Sequence, residues 1–278
     1  MSTVSHLRET ELPSEARKFL CFTDNRQDAS LQSGHFNDFI EIGLIRSALC
    51  KAPSDAEPHG LRSDELALKV FDALGSSFAD KVFPPERYAQ NPAEVKNIAQ
   101  NTRNTFINVL SYRLFYDLSP SWRITAPNLE QTGLLRIEYE SLEEICADGT
   151  LWADLEILKD ISPETRKQIV HHVLDYMRRC LAIQVKYFSA GFEYKIKQSS
   201  QCLNEDWLIE ENEKIFKERL LFVEEKGNKK DRVNIYVTPK SYLARWIKRQ
   251  VATEIADPLS GDTLLELLQN FFRRLKKF

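Results

Sequence analysis

Apolar and polar positions change rhythm several times along this chain. Phe19, Leu20, Cys21 and Phe22 form a short apolar run that meets a polar knuckle, Thr23 to Asp28, and a helical pattern follows at once. That succession predicts a buried parallel strand over 18–23 running into a helix N-terminus, the geometry that holds phosphates in open α/β sheets. On the following helix Ala29, Phe36, Phe39, Ile40, Leu44 and Ala48 recur at helical spacing, and the pattern fades before KAPSDAEPHG, a loop composition. Ser63 predicts a cap for a second helix with Leu66, Val70, Phe71 and Leu74 inward and Gly75 at its end. Asn91-Pro92 predicts the start of a long helix over 92–117.

Beyond it, SPSWRITAPNLEQTG predicts irregular backbone at the surface or in a crevice. Alternation of Leu135, Ile137 and Tyr139 predicts a short strand over 134–139. Ser162-Pro163-Glu164 opens a helix carrying Ile169, Val173, Met177, Cys180 and Leu181 on one face, and 206–220 reads as a strongly charged helix. LLFVEE and DRVNIYVT read as a hairpin around KGNKK. Thr238-Pro239 leads into a helix with Tyr242, Leu243, Trp246 and Ile247 as its stripe. Asp262 predicts the cap of the last helix, whose amphipathic face is Leu264, Leu268, Phe271, Phe272 and Leu275. Its final turn gathers Arg273, Arg274, Lys276 and Lys277, where cations suit the helix dipole. The expected class is α+β and predominantly α-helical, with one strand–helix unit at the front and a small β element later. A lone strand–helix unit makes no sheet, so either its neighbours come from elsewhere or 18–23 pairs with 134–139 and the hairpin.

The length of 278 residues suits one large domain or two modest ones, and 42% hydrophobic residues suffice for a core. No apolar run is long enough for a membrane span, and the polar opening MSTVSHLRETELPSEAR has no signal-peptide character, so a cytoplasmic protein with no membrane partner is expected. Five scattered cysteines without a C-x-x-C pair predict reduced thiols, not a disulfide frame or zinc site. Charge is uneven: from Lys226 onward 12 basic residues face 5 acidic ones, leaving 26 basic and 36 acidic in the first 225. A basic end on an acidic body points to an anionic partner there, or to a solvated helix face. Adjacent His171 and His172 project about 100° apart on a helix, which is not the i, i+4 spacing of a metal pair. No catalytic constellation and no metal ligand set stands out.

The string FLCFTDNRQDAS resembles motif IV of superfamily 2 DEAD/DEAH-type helicases, the first strand, loop and helix of their second RecA-like domain. The likeness is to the MrfA/YprA-like group and to the helicase subunit of the DISARM phage-defence system. SGHFNDFIEIGLIRSAL, WRITAPNLEQTGLLRIEY and TPKSYLARWIKR extend it over most of the chain from about Lys18. The resemblance implies a partial RecA-like domain (18–50) followed by a helical insertion (51–225), while residues 1–17 read as a flexible lead-in and 226–278 as a basic hairpin–helix region of winged-helix-like order. It also implies ATP and Mg²⁺ in the complete helicase, held by no residue of this chain. The nucleotide-binding loop, the acidic ATPase box and the Q-x-x-G-R-x-G-R-type arginine finger are all missing from the sequence. The expectation is therefore an internal or truncated piece that cannot hydrolyse ATP alone.

Carried over to this sequence, Thr23, Asp24, Asn25, Arg26 and Gln27 form the loop that faces nucleic acid or the domain cleft, with Phe22 packed beneath. Arg26 suits a phosphate because a guanidinium binds anions bidentately, while a salt bridge to Asp24 or Asp28 is the structural alternative. The basic end adds Lys229, Lys230 and Arg232 on the hairpin and Lys240, Arg245, Lys248 and Arg249 around the next helix, with Tyr236, Tyr242 and Trp246 available for stacking. The alternative is that Tyr242 and Trp246 are core residues and the lysines simply solvated. Expected partners are single-stranded DNA, the remaining helicase domains and defence-system subunits. A helical adaptor that binds another protein is the rival reading.

Overall fold

The computed structural model describes residues 41–56, 60–76, 83–93, 96–119, 127–189, 191–228, 230–231, 233–256 and 259–275. In chain order the elements are α1 (41–54), α2 (Leu66–Ser76), α3 (Lys96–Asp117), α4 (Leu142–Ala147), α5 (Glu156–Asp160), α6 (Pro163–Arg179), α7 (Phe192–Ser199), β1 (Leu221–Val223), β2 (Ile235–Val237), α8 (Tyr242–Val251) and α9 (Gly261–Leu275). The described chain is predominantly helical with a small parallel sheet. The predicted strand over 18–23 and the helix positions Ala29 to Ile40 lie outside the described residues. No helix among the described residues is long and apolar enough to cross a membrane.

Two compact units divide the chain, and both are discontinuous in sequence. The first draws on Met1–Leu118, Ala126–Leu135 and Lys186–Phe216. Its core is aromatic. Phe71 of α2 and Phe106 of α3 meet Phe83, Tyr88 and Trp207, with Tyr88 stacked on Phe106 at 4.8 Å and Trp207 edge-on to Phe106 at 4.9 Å. Such pairs add specific geometry to a large buried area. The polar side chains of the core are satisfied locally: Thr102 and Ser111 donate to the carbonyls of Ile98 and Ile107 one turn back. Asn128 and Gln131 exchange reciprocal bonds in the NLEQTG turn, and Asn128 Nδ2 donates to the Asp117 carbonyl at the end of α3. The turn reverses at Gly133, whose φ of 75° is cheap only without a Cβ.

The second unit draws on Ser119–Thr125, Arg136–Val185 and Lys217–Phe278. Ser162 caps α6 by accepting from Thr165 N, and Ser241 caps α8 by accepting from Ala244 N. Leu243, Ile247, Leu264, Leu268 and Phe271 bury their side chains with Ile169 and Val173 of α6, as the helical spacing predicts. At the centre Arg166 is 3% exposed, and its guanidinium donates only to backbone carbonyls: Leu158 (2.7 Å), Lys159 (3.0 Å), Ile161 (3.0 Å) and Cys146. These carbonyls sit at the ends of α4 and α5, helices too short to satisfy their own last turns. Trp152 lies beside the guanidinium at 5.6 Å.

Several expectations are corrected. Helix α1 continues to residue 54 instead of fading before KAPSDAEPHG, because Ala52 extends the buried stripe of Ile45, Ala48 and Leu49. Gly75 lies inside the last turn of α2 rather than beyond it. Residues 134–139 form no strand: Leu135, Ile137 and Tyr139 do alternate toward the interior, but no ladder pairs with them among the described residues. Residues 206–220 are not helical, since Trp207, Ile209 and Ile215 are buried at a spacing that no single helix face provides. Strands β1 and β2 are no hairpin. They run parallel with Leu221 opposite Ile235 and Val223 opposite Val237, a pairing that a tight turn at KGNKK could not make, since a hairpin turn joins antiparallel strands. Ser260, not Asp262, caps α9, accepting from Thr263 N at 3.1 Å.

Candidate nucleic-acid interface

Within the second unit, α8 presents two chemically opposite faces. Leu243, Ala244, Ile247 and Val251 are buried, and at the complementary spacing of i, i+3, i+4, i+7 stand Tyr242, Arg245, Trp246 and Arg249. Tyr242 is 60% exposed, Arg245 and Arg249 are exposed, and Trp246 is half-buried. Arg245 and Arg249 make no hydrogen bond or ion pair among the described residues. The Trp246 ring stacks on His172 of α6, with centroids 3.9 Å apart and planes 19° from parallel. The Tyr242 ring lies 6.2 Å from the same histidine. Burial, and then the charge of Arg179, hold the His172 imidazole below its ordinary pKa, so its ring is neutral near pH 7.

A polar hub lies alongside on α6. The buried Asp175 accepts from the Tyr139 hydroxyl at 2.9 Å, from Arg178 Nη2 at 3.2 Å and from Arg179 Nη2 at 3.3 Å, with His171 Nδ1 at 3.7 Å. Burial pushes the Tyr139 phenol far above its usual value. The hub fixes its own members and keeps the carboxylate engaged.

On the β1–β2 connection Asp231 plays the same part. Its oxygens accept from Val233 N, Asn234 N, Asn234 Nδ2 and the Tyr236 hydroxyl. These bonds pull its carboxyl down to about 2. The acid set among the basic residues of this loop is therefore ionised and taken up internally.

Of the residues expected to meet nucleic acid, Thr23, Asn25, Arg26, Gln27, Lys229 and Arg232 lie outside the described residues. Lys230 is exposed on the β1–β2 connection, and Lys240 is exposed in the turn before α8. Arg245 joins the outward face. Lys248 is turned elsewhere: it is half-buried, and its Nζ donates to the Leu259 carbonyl in the link to α9. Tyr236 stacks on Phe222 at 5.4 Å and ties its hydroxyl to Asp231, which commits it to the sheet.

His172 is the residue that sequence reading missed. It stands 74 positions before Trp246, and nothing in the local pattern announces that the two rings meet. The thiols Cys50, Cys146, Cys180 and Cys202 are free, and burial raises Cys146 to about 11, far from a reactive thiolate. Among the described residues no group of three or more His, Cys, Asp or Glu is placed to hold a metal ion. Compared with protein-family models, curated proteins and solved structures, the chain matches none significantly.

Proposed function

We propose that this chain is part of an ATP-dependent superfamily 2 helicase or translocase, contributing nucleic-acid contacts and a helical accessory region beside a partial RecA-like unit. The observation that carries the reading is the string FLCFTDNRQDAS, an apolar run followed at once by a polar stretch that includes Arg26. The exposed cations Lys230, Lys240, Arg245 and Arg249 of the basic end support it. ATP and Mg²⁺ do not fit the residues present: the sequence has no glycine-rich phosphate loop with its lysine and no acidic metal-binding box. The remaining helicase domains would supply both, in a cytoplasmic complex that includes defence-system subunits.

Titration of the whole chain with single-stranded DNA over a salt series tests the reading. Binding should fall steeply with salt, and charge reversal at Lys229, Lys230 and Arg232 should lower both the affinity and the salt slope by similar amounts on every sequence. Robust ATP turnover by the chain alone would contradict the assignment. Salt-independent capture of a protein subunit with no DNA affinity would favour an adaptor instead. Leu220 and Val233 give that alternative its one support: they are 57% and 64% exposed at neighbouring entries to β1 and β2.

A further inference from the structure

We infer that the face shared by α6 and α8 is a stacking platform for unpaired nucleobases, with Arg245 and Arg249 taking the phosphates of the same single strand. The inference rests on the nucleic-acid reading above and gives it a location and a mode of contact.

The rings come first. His172 and Trp246 already lie nearly parallel at 3.9 Å, so the tier is formed before any ligand arrives. A preformed stack loses little freedom when a further ring adds to it. Tyr242 stands at the edge of this tier with 60% of its surface in water. An exposed phenol beside a half-buried stack serves as an adhesive surface more than as packing, because most of its surface is in water.

The cations come second. Arg245 and Arg249 lie one turn apart, a like-charge arrangement that weakens an isolated helix. No carboxylate relieves them among the described residues. Nearby acids are already engaged: Asp175 with Tyr139, Arg178 and Arg179, and Glu254 with Ser162 and Thr165. A face that keeps two guanidinium groups unpaired beside open aromatic rings is complementary to a ligand carrying anions and flat rings in alternation. A single nucleic-acid strand has that composition. In an acidic peptide the anions come without the planar rings, and in duplex DNA the rings are stacked away. The contact runs over eight residues of α8, from Tyr242 to Arg249, a rise of about 10 Å, enough for a short run of nucleotides.

The test uses the whole chain and fluorescein-labelled oligothymidylate of about ten nucleotides, followed by anisotropy over a salt series. Arg245→Glu with Arg249→Glu should weaken binding by at least ~10-fold and cut the log–log salt slope by about 1.4, the value for two phosphates of a single strand. Tyr242→Ala should weaken it roughly 5- to 100-fold, whereas Tyr242→Phe keeps the affinity because only the ring is needed. All three positions are exposed, so folding is not at issue, and the far-ultraviolet spectrum checks it. Photocrosslinking of a 5-iodouracil oligonucleotide should label Tyr242, Trp246 or His172.

Binding that survives every one of these variants, with crosslinks elsewhere, overturns the platform and leaves the helicase reading standing. Failure of the parent chain to bind the oligonucleotide at low salt overturns both. Competition by polyglutamate or by duplex DNA as effective as that by the oligonucleotide also overturns the platform, because rings and single-strandedness would then contribute nothing.

Discussion

Arg46 in the first unit and Arg166 in the second are both withdrawn from water, but only Arg46 meets a carboxylate. Its Nε and Nη2 grip Asp117 at 3.0 and 2.8 Å, and Nη1 donates to the Pro127 carbonyl. Arg166 has carbonyls alone and feels Glu254 only at longer range. Arg46 thus sits in an ion pair that joins α1 to the end of α3, while Arg166 acts as a common cap for two short helices. Removing one partner of the pair strands a charge; removing Arg166 strands several dipoles and the backbone of α4 and α5 together. A buried guanidinium can hold a fold either by charge pairing or by donor count, and the two fail differently.

The largest effect should follow from Arg166→Met. Four hydrogen bonds from a charged donor disappear, and four carbonyls lose their partner in a dry site. A cost of about 3–5 kcal/mol is expected, close to the whole stability of a small unit. Denaturant unfolding of the second unit, read from its buried Trp152, measures it; a cost under about 1 kcal/mol would show that α4 and α5 do not depend on this residue. Arg166→Lys should restore little, because one ammonium cannot reach carbonyls placed for a planar fork.

Arg46→Met should cost less, about 2–4 kcal/mol, because Asp117 keeps 6% of its side chain in water and can draw on it. The comparison sharpens in a double-mutant cycle. Arg46→Met combined with Asp117→Leu should be less destabilising than the sum of the single changes, because the second removes the charge that the first leaves behind. Additivity within about 0.5 kcal/mol would mean that the pair is not an energetic unit.

Much of this architecture was legible in the sequence where one face of a helix decides the matter. The helix from Pro163 with its Ser162 cap, the end of α3 at Asp117 and the apolar stripe of α9 follow from 3.6-residue spacing and cap chemistry. On α8 the spacing found Leu243 and Ile247, but the stripe expected there also held Tyr242, which is 60% exposed, and Trp246, which is half-buried. Features set by distant partners were not legible. Charged residues over 206–220 imitate a solvated helix, but Trp207 gives its Nε1–H to the Arg87 carbonyl, 120 positions away, and that contact holds the backbone irregular. Parallel pairing of LFV with IYV depends on the path of the whole connection, not on either strand. In the candidate site, Arg245 and Arg249 were visible as a basic helix, whereas the His172 tier beneath Trp246 arises only when α6 packs on α8. Lys248 looked like one more basic residue, yet the local spacing places it at the flank, where it closes the link to α9.

The smallest effect concerns the capping of α6, where the second unit again uses a distant side chain to satisfy backbone. Glu254, just past α8, accepts from Ser162 N at 2.5 Å, from Ser162 Oγ at 2.6 Å and from Thr165 Oγ1. Hydrogen bonds from Ser162 and Thr165 hold its carboxyl below the ordinary value. A depressed folded pKa means that the unfolded chain binds the proton more readily. The contribution is therefore complete above the unfolded pKa of about 4.3 and is lost as pH falls through the folded value. Glu254→Gln should leave less acid sensitivity: the melting temperature of the variant should drop less between about pH 6 and pH 3 than that of the parent. Asp231, pulled down to about 2, should keep its share of the acid limb in both proteins, because its partners lie within its own loop. Parallel curves for parent and Glu254→Gln would show that the carboxylate contributes geometry without charge, and that the Ser162 hydroxyl on Thr165 N suffices to start the helix.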